Sequence, residues 1–145
     1  MVDVSGKMPA SREAVARAIV QLGPELVSRI HDLPKGDVLA TAKIAGIMAS
    51  KQTAALIPLC HQIPLTQVSV DIRLNESTGE AEIECRVRTT HQTGVEMEAL
   101  TGAAVACLTL YDMCKAVRQD IVISDVRLIR KTGGRRDFVS EAKSD

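Results

Sequence analysis

A carboxylate and an amine lie three residues apart near the end of a long apolar segment, at Asp112 and Lys115. On a helix this spacing puts both side chains on one face, where an exposed ion pair contributes only a few tenths of a kcal/mol. The segment from 99 to 113 is almost entirely apolar, so the pair at its edge is expected to lose part of its hydration. Partial dehydration shifts pKa values, and groups of that kind suit acid–base chemistry.

His61 stands at a stiff junction, at the end of the run Leu-Ile-Pro-Leu-Cys-His over residues 56–61. Taken alone, it fits a hydrogen-bonded linker residue as well as a site residue held by a short loop. The neighbouring Cys60 would suggest a metal ligand pair, but adjacent side chains in an extended segment point apart. We therefore predict no metal site.

Two acids flank a methionine where a long helix is expected to begin, in Glu96-Met97-Glu98 after Thr-Gly. An acid in a first turn complements the helix dipole, and that role accounts for one of them. Carboxylates also accept hydrogen bonds from exocyclic amino groups, which guanines and pterins both carry. The segment is thus a candidate pocket for a guanine-like edge.

The distance between the two acidic sites constrains any common function. Glu98 and Asp112 are fourteen residues apart, so on an unbroken helix they share a face but lie roughly 21 Å apart. One small substrate cannot touch both within one subunit. Either the site lies between subunits or the helix is kinked.

Several cations lie where an anion could bind. Lys35 precedes a helix start with Asp37 as the expected N-cap, and helix N-termini attract anions. Residues 131–136 combine glycines with cations but lack the full phosphate-loop pattern. Two local basic clusters could hold a small polyanion: Lys43 with Lys51, and Arg130 with Lys131, Arg135 and Arg136.

The hydrophobic pattern alternates between periods of 3.6 and 2, and it predicts one α+β domain over residues 1–145 with mobile ends at 1–11 and 138–145. The order is βαββαβ, which indicates an antiparallel sheet with helices packed on one face. Periodicity leaves residues 12–22 open between strand and helix. The remaining elements are a short helix from Pro24, a helix from Asp37 to about Leu56, a strand hairpin over 68–74 and 81–87, a helix over 95–117, and a strand over 121–130.

Composition narrows the class of protein. Lys plus Arg and Asp plus Glu both number 18, and this zero net charge argues against a nucleic-acid partner. The start of the chain has no apolar signal segment and no run is long and apolar enough to span a membrane, so we expect a cytoplasmic protein with reduced cysteines. Only one Tyr and one Phe are present, so the small aliphatic core predicts further burial between subunits.

Taken together, these segments resemble the MoaC-type cyclic pyranopterin monophosphate synthases over nearly the whole chain. The most specific likenesses are Leu-Ile-Pro-Leu-Cys-His at 56–61 and Thr-Gly-Val-Glu-Met-Glu-Ala-Leu at 93–100. The other segments that carry the resemblance are 1–5, 35–38, 45–47, 108–109, 111–115 and 131–134. Two departures are small: Gln62 stands where the family usually has Pro, and His91-Gln92 replaces Gly-Arg.

The resemblance implies a ferredoxin-like subunit, with residues 12–22 as strand, assembled as a hexamer of three dimers with its pocket at a subunit interface. The substrate would be the cyclised dihydro-GTP made by a radical-SAM GTP cyclase, and the products cyclic pyranopterin monophosphate and pyrophosphate. No redox step or organic cofactor is implied, although a divalent ion could accompany the triphosphate.

The resemblance also assigns roles to residues. Lys35 and Lys115 would be central to catalysis, with Asp112 as general acid or base and a lowered pKa for Lys115. The substrate pocket would be formed by Leu59, Cys60, His61, Glu96, Met97 and Glu98. From their charge and their position near the matching segments, we further predict that Arg12 and Lys51 meet the triphosphate.

Two other functions remain open from the residues alone. A ligand-binding regulatory module would explain the charged helix ends as a groove without chemistry. A metal hydrolase would use Cys60 and His61 with nearby acids.

Overall fold

A computed structural model describes residues 1–141, which form a five-stranded sheet with helices packed on one face. The strand order is β2-β3-β1-β4-β5, and every neighbouring pair is antiparallel. The first four strands have the order and directions of a ferredoxin-like sheet, so the predicted fold is confirmed. The strands are β1 (Ala10–Gln21), β2 (Gln67–Asn75), β3 (Glu80–His91), β4 (Val122–Thr132) and β5 (Phe138–Val139).

Two long helices cover one face of the sheet, and short helical segments connect them to the strands. Asp37 is the N-cap of α2, since its side chain accepts a hydrogen bond from the amide of Ala40 at 2.9 Å. That bond satisfies one of the amides that a helix start leaves free. The helices are α1 (Pro24–Ser28), a 3-10 turn (Ile30–Asp32), α2 (Val38–Lys51), α3 (Thr53–Leu56) and α4 (Glu96–Cys114).

The structure revises several predicted boundaries. The ambiguous segment 12–22 is the central strand β1, and it begins earlier, at Ala10. The helix expected to reach Leu56 breaks at Gln52 into α2 and α3. Part of the expected tail pairs with β4 as β5. The mobility predicted for 1–11 and 138–145 stays a prediction, and residues 142–145 lie outside the described part.

Alternation along β1 decides which face is buried against the helices. Ala14, Ala16, Ala18 and Val20 are fully buried and belong to the main core under α2 and α4. Because successive strand residues point to opposite faces, Val15, Arg17 and Ile19 lie on the other side. Small side chains on the helical side allow the helices to lie close to the sheet.

The two long helices approach closely at a pair of glycines. A Cβ added at Gly46 would lie 2.8 Å from the carbonyl oxygen of Gly102, and one added at Gly102 would lie 2.3 Å from Ser50 Oγ and 2.6 Å from Cys85 Sγ. Ser50 fills this crossing and donates to the carbonyl of Gly46 at 3.1 Å or that of Glu98 at 2.9 Å. The crossing therefore connects α2 to the first turn of α4.

Gly102→Ala is expected to destabilise the fold by about 1–3 kcal/mol, because the added methyl overpacks the crossing. Adding Ser50→Ala should recover part of the loss by removing the nearer clashing atom. Thermal unfolding measures both effects, at roughly 2–4 °C per kcal/mol for a domain of this size. Gly6→Ala is the control, because no atom lies within 4 Å of a Cβ there; equal melting temperatures for Gly102→Ala and this control would contradict the packing argument.

Candidate active site

A lysine–aspartate cluster forms where the loop before α2 meets the end of α4. Lys35 Nζ donates to the backbone carbonyl of Asp112 at 2.9 Å and to its Oδ2 at 3.0 Å. Lys115 Nζ lies 2.7 Å from the other carboxylate oxygen. The structure thus brings together the three residues that the sequence proposed for catalysis, with one carboxylate between two amines.

The pKa shift of Lys115 and the hydration of the Asp112–Lys115 pair both differ from what the sequence predicted. The hydrogen bond from Lys115, and then that from Lys35, lowers the pKa of Asp112 below its usual value. The same contact with Asp112 raises the pKa of Lys115, so the predicted lowering is wrong for the subunit. The expected loss of hydration is also absent here, because the side chains of Asp112 and Lys115 are 55% and 53% exposed. In this open cluster the Asp112 carboxylate favours the charged form of Lys115.

A second group of candidates surrounds a pocket of about 270 Å³ at the start of α4. The 56–61 junction supplies one wall and the first turn of α4 the other. His61 Nε2 lies 2.7 Å from the backbone carbonyl oxygen of Val2, so the start of the chain orients this ring. The lining residues are Leu59, Cys60, His61, Ile63, Thr93, Gly94, Glu96, Met97 and Glu98.

Glu98 is the most enclosed acid in this pocket, in a residue only 4% exposed. Burial raises the pKa of Glu98, and the nearby charge of Glu96 raises it further. The pKa of the Cys60 thiol is raised by burial and by Glu98, which makes this cysteine a poor thiolate nucleophile. A raised pKa extends to higher pH the range in which the carboxyl group is protonated, and the protonated form can donate as well as accept a hydrogen bond.

Glu98→Gln is expected to gain stability relative to the unmodified protein as pH rises. A carboxyl group whose pKa is higher in the folded state binds more protons there, so ionising it costs stability above its unfolded value near 4.5. The difference in unfolding free energy should therefore be small below that pH and grow until the folded-state pKa is passed. Denaturant titrations from acid to neutral pH measure it, with Glu76→Gln in the exposed hairpin turn as control. A difference independent of pH would contradict the raised pKa.

A basic pocket of about 410 Å³ adjoins the His61 pocket and shares Thr93, Gly94 and Glu96 with it. Arg12 is held in place because its guanidinium donates to the carbonyl oxygens of His91 at 2.8 Å and Gln92 at 3.0 Å. Five cationic side chains line this basic pocket together with one carboxylate, that of Glu96, so the pocket suits a polyanion. The cations are Lys7, Arg12, Lys131, Arg135 and Arg136.

Only part of this basic pocket was anticipated from the sequence. Arg12 was assigned to the triphosphate, whereas Lys131 was placed only in a local basic cluster and in the 131–136 segment that lacks the full phosphate-loop pattern. Lys131 Nζ lies 2.9 Å from Glu96 Oε1 and joins the two pockets. Lys7 was missed, since nothing in the local pattern of an irregular lead-in marks it as a ligand.

Lys51 lies away from the basic pocket within the subunit. It lines a separate hollow of about 360 Å³ with Ile47 and the segment leading into β2. Ile63 is common to this hollow and the His61 pocket, so the two are neighbours. The triphosphate role predicted for Lys51 stays a prediction.

The length of α4 separates the two acidic sites. The helix is continuous from Glu96 to Cys114, so no break within it shortens the roughly 21 Å expected between Glu98 and Asp112. The sequence left open a kinked helix or a site between subunits. The helix is unbroken, which leaves a site between subunits as the way to combine the two acids. A single small molecule therefore cannot bridge both sites in one subunit.

Large apolar side chains are exposed on the outer faces of the helices. Ile44, Met48 and Leu108 are 58%, 55% and 59% exposed. They lie on α2 and α4, the two helices that pack against each other over the sheet. An exposed apolar helical face of this kind is typical of an interaction surface.

Within residues 1–141, no group of three His, Cys, Asp or Glu side chains is arranged to hold a metal ion. The same described residues contain no helix with the length and apolar character needed to cross a bilayer.

Comparison with known proteins places these sites in a family. Residues 1–134 match the MoaC family. A cyclic pyranopterin monophosphate synthase of Roseiflexus sp. is 56% identical over 144 residues, covering 97% of this chain and 91% of the relative. The synthase of Heliobacterium modesticaldum is 55% identical over 137 residues, covering 93% and 86%. The chain belongs to the MoaC family.

A larger protein contains a similar segment. Molybdenum cofactor biosynthesis protein 1 of Drosophila melanogaster is 54% identical over 143 residues, which cover 97% of this chain but 25% of that protein. The family resemblance inferred from the motifs is thus confirmed.

Proposed function

We propose that this protein is a cyclic pyranopterin monophosphate synthase of molybdenum cofactor biosynthesis. It converts cyclised dihydro-GTP into cyclic pyranopterin monophosphate with release of pyrophosphate, which makes it a lyase. The observation that carries the proposal is the 56% identity to a protein of that name over 97% of the chain. The three charged or polar sites described above supply the groups that such a reaction needs.

The Lys35–Asp112–Lys115 cluster moves protons and stabilises negative charge. Opening the purine ring and expelling pyrophosphate both require proton transfer, which positioned amines and carboxylates accelerate. The cluster holds two cations against one carboxylate, so a substrate phosphate that displaces Asp112 meets a net positive field. Asp112 then serves as general acid or base beside Lys115.

The His61 pocket takes the base-derived ring. Glu96 and Glu98 offer oxygens to exocyclic amino and ring N–H groups. Because Glu98 is buried, a ligand without a matching N–H donor would leave its carboxyl group without a hydrogen bond, which increases the preference for ligands that carry one. Leu59 and Met97 provide apolar surface for the ring, with Cys60 beside them. The adjoining basic pocket takes the triphosphate, with a divalent ion on the substrate where one is needed; no organic cofactor is required.

The exposed helical face joins subunits so that the two separated sites combine. Packing Ile44, Met48 and Leu108 against a second copy would bury them, and the end of one α4 could then meet the start of another. We propose a homohexamer built from three such dimers, located in the cytoplasm and supplied by a radical-SAM GTP cyclase. Nucleic acid and membranes are not expected as partners.

Purified protein supplied with the cyclised dihydro-GTP tests this function directly. The expected result is stoichiometric pyrophosphate and a pterin that becomes fluorescent after oxidation. Well-folded protein that binds the precursor without releasing pyrophosphate would favour the regulatory module instead. Pyrophosphate release that is unchanged by strong chelation without added metal would exclude the metal hydrolase.

Arg12→Ala is expected to raise KM for the precursor by about ten-fold with a smaller change in kcat, because it removes a charge-assisted contact to the triphosphate. Steady-state kinetics measures the split. Arg29→Ala removes the same charge from an exposed position after α1 and serves as control. An unchanged KM for Arg12→Ala would remove this residue from the phosphate site.

A further inference from the structure

A second arginine-rich pocket, of about 500 Å³, lies on the sheet face turned away from the helices. The synthase reaction proposed above makes no use of it. Its walls include Arg17 from β1, Arg86 from β3, and Arg127 and Arg130 from β4, against a single carboxylate, Glu84. Each of these four guanidinium groups pairs with a carboxylate, but Glu82 and Glu13 are each shared with a further arginine, so the face keeps an excess of positive charge that attracts anions.

Two bulges interrupt β4, and one of them brings its two arginines to the same face. The pairing of β1 with β4 shifts between Val15 and Ala16 and again between Arg17 and Ile19. As a result, Arg127 pairs with Arg17 and Arg130 pairs with Val15, and both partners lie on the outer face of β1. The second bulge includes Asp125 in the left-handed region at φ 55°. Because regular alternation would put residues 127 and 130 on opposite faces, the bulge between them, at Ile129, is what places both arginines beside one pocket.

The ion pairs of this face contain more arginines than their carboxylate partners require. Glu82 pairs with both Arg17 and Arg73, at 2.8 and 3.6 Å. Glu13 pairs with both Arg88 and Arg130. The carboxylates would thus keep a cation without Arg17 or Arg130, so these two are not needed for neutralisation alone.

Two donors of this cluster have no hydrogen-bond acceptor in the described part of the chain. They are the buried Nε groups of Arg17 and Arg127; Arg127 Nε lies 3.3 Å from Asp125 Oδ1 in an ion pair without hydrogen-bond geometry, and a buried donor without an acceptor is costly. The pocket also has apolar walls in Val15, Ile129 and Val139. Cations with unused N–H groups beside an apolar wall match a small molecule with several anionic groups and a compact apolar body.

We infer that this outer-face pocket binds a small multivalent oxyanion, carrying two or more phosphate or carboxylate groups, at a site separate from the synthase substrate. Forked guanidinium contacts from Arg17 and Arg130 bind the oxygens, and Arg86 and Arg127 complete the charge balance.

Methyl NMR of the assembled full-length protein, titrated separately with pyrophosphate and with citrate, tests the site. The methyl groups of Val15, Ile129 and Val139 report on this pocket, whereas the basic pocket beside Glu96 contains none of them. We expect saturable shifts of these methyls. Arg17→Ala with Arg130→Ala should weaken binding at least about ten-fold, while Arg73→Ala, on the same face outside the pocket, should leave it unchanged. A response to one probe alone identifies the phosphate or the carboxylate as the natural group.

Lysine replacements keep the test decisive if the alanine double variant fails to fold. Arg17→Lys with Arg130→Lys retains charge but loses the forked geometry, so intermediate affinity is expected. Absence of methyl shifts up to about 10 mM anion, a range that covers even weak binding, would overturn the proposal. So would equal affinity in the double alanine variant, or a change in its oligomeric mass by light scattering, which would assign the face to a second copy of the chain.

Discussion

Lys115→Ala and Lys35→Ala are each expected to fold normally and to lose about 10²–10⁴-fold in kcat for pyrophosphate release. Both lysines are exposed and contact the same carboxylate, so removing either costs the fold little. Each removal, however, leaves Asp112 with one cation instead of two and removes a candidate proton donor. Single-turnover assays with the precursor measure the chemical step, and circular dichroism checks the fold.

Arg29→Ala after α1 serves as the matched control, because it removes a positive charge from an exposed position outside the cluster. It should keep turnover close to that of the unmodified protein. Turnover retained by Lys115→Ala would remove that residue from catalysis, and the same holds separately for Lys35→Ala.

Mixing two inactive proteins is expected to restore activity if each site draws on two subunits. One partner carries Lys115→Ala at the end of α4, and the other carries Glu98→Ala at its start. In a two-fold dimer with random exchange, about a quarter of the sites would then be unmodified in both halves. Pyrophosphate release should rise from near zero to roughly that fraction of normal.

The control for this mixing is a combination of Lys35→Ala with Lys115→Ala. Both lysines contact one Asp112 within a single subunit, so exchange of subunits cannot rebuild an intact cluster and no recovery is expected. Confirmed mixed oligomers of Lys115→Ala with Glu98→Ala that stay inactive would argue that each subunit works alone. In that case the separation along α4 would need another explanation.

Except for β1, the types of the main strands and helices followed from local pattern, and the differences from the structure lie mostly at element boundaries. The alternation of β2 and β3 could be recognised directly, because a half-exposed hairpin leaves a regular polar and apolar signature. The central strand β1 could not, since its inner face is mostly alanine, which fits helix as well as strand. The break at Gln52 and the short strand β5 depend on packing and pairing, which periodicity does not register.

The site was anticipated unevenly for a related reason. Motif segments located the His61 junction and the Glu96–Glu98 turn, and tertiary structure then placed them around one pocket. The residues of the basic pocket come from separate parts of the chain, among them Lys7, Arg12 and Lys131, so no local sequence pattern predicts the pocket. The pKa of Lys115 was misjudged because apolar neighbours in sequence do not bury a side chain that points outward from a helix end.

By itself, the sequence determined the family, the order of elements and most of the residues with chemical potential, because these depend on residue types and spacing along the chain. Only the tertiary structure decided which charges meet. It paired Asp112 with two lysines, joined the ring pocket to its cationic neighbour, and placed Arg130 and Lys131 beside different pockets. The physical reason is that contacts between distant residues are set by strand register, bulges and helix length, which local periodicity does not encode.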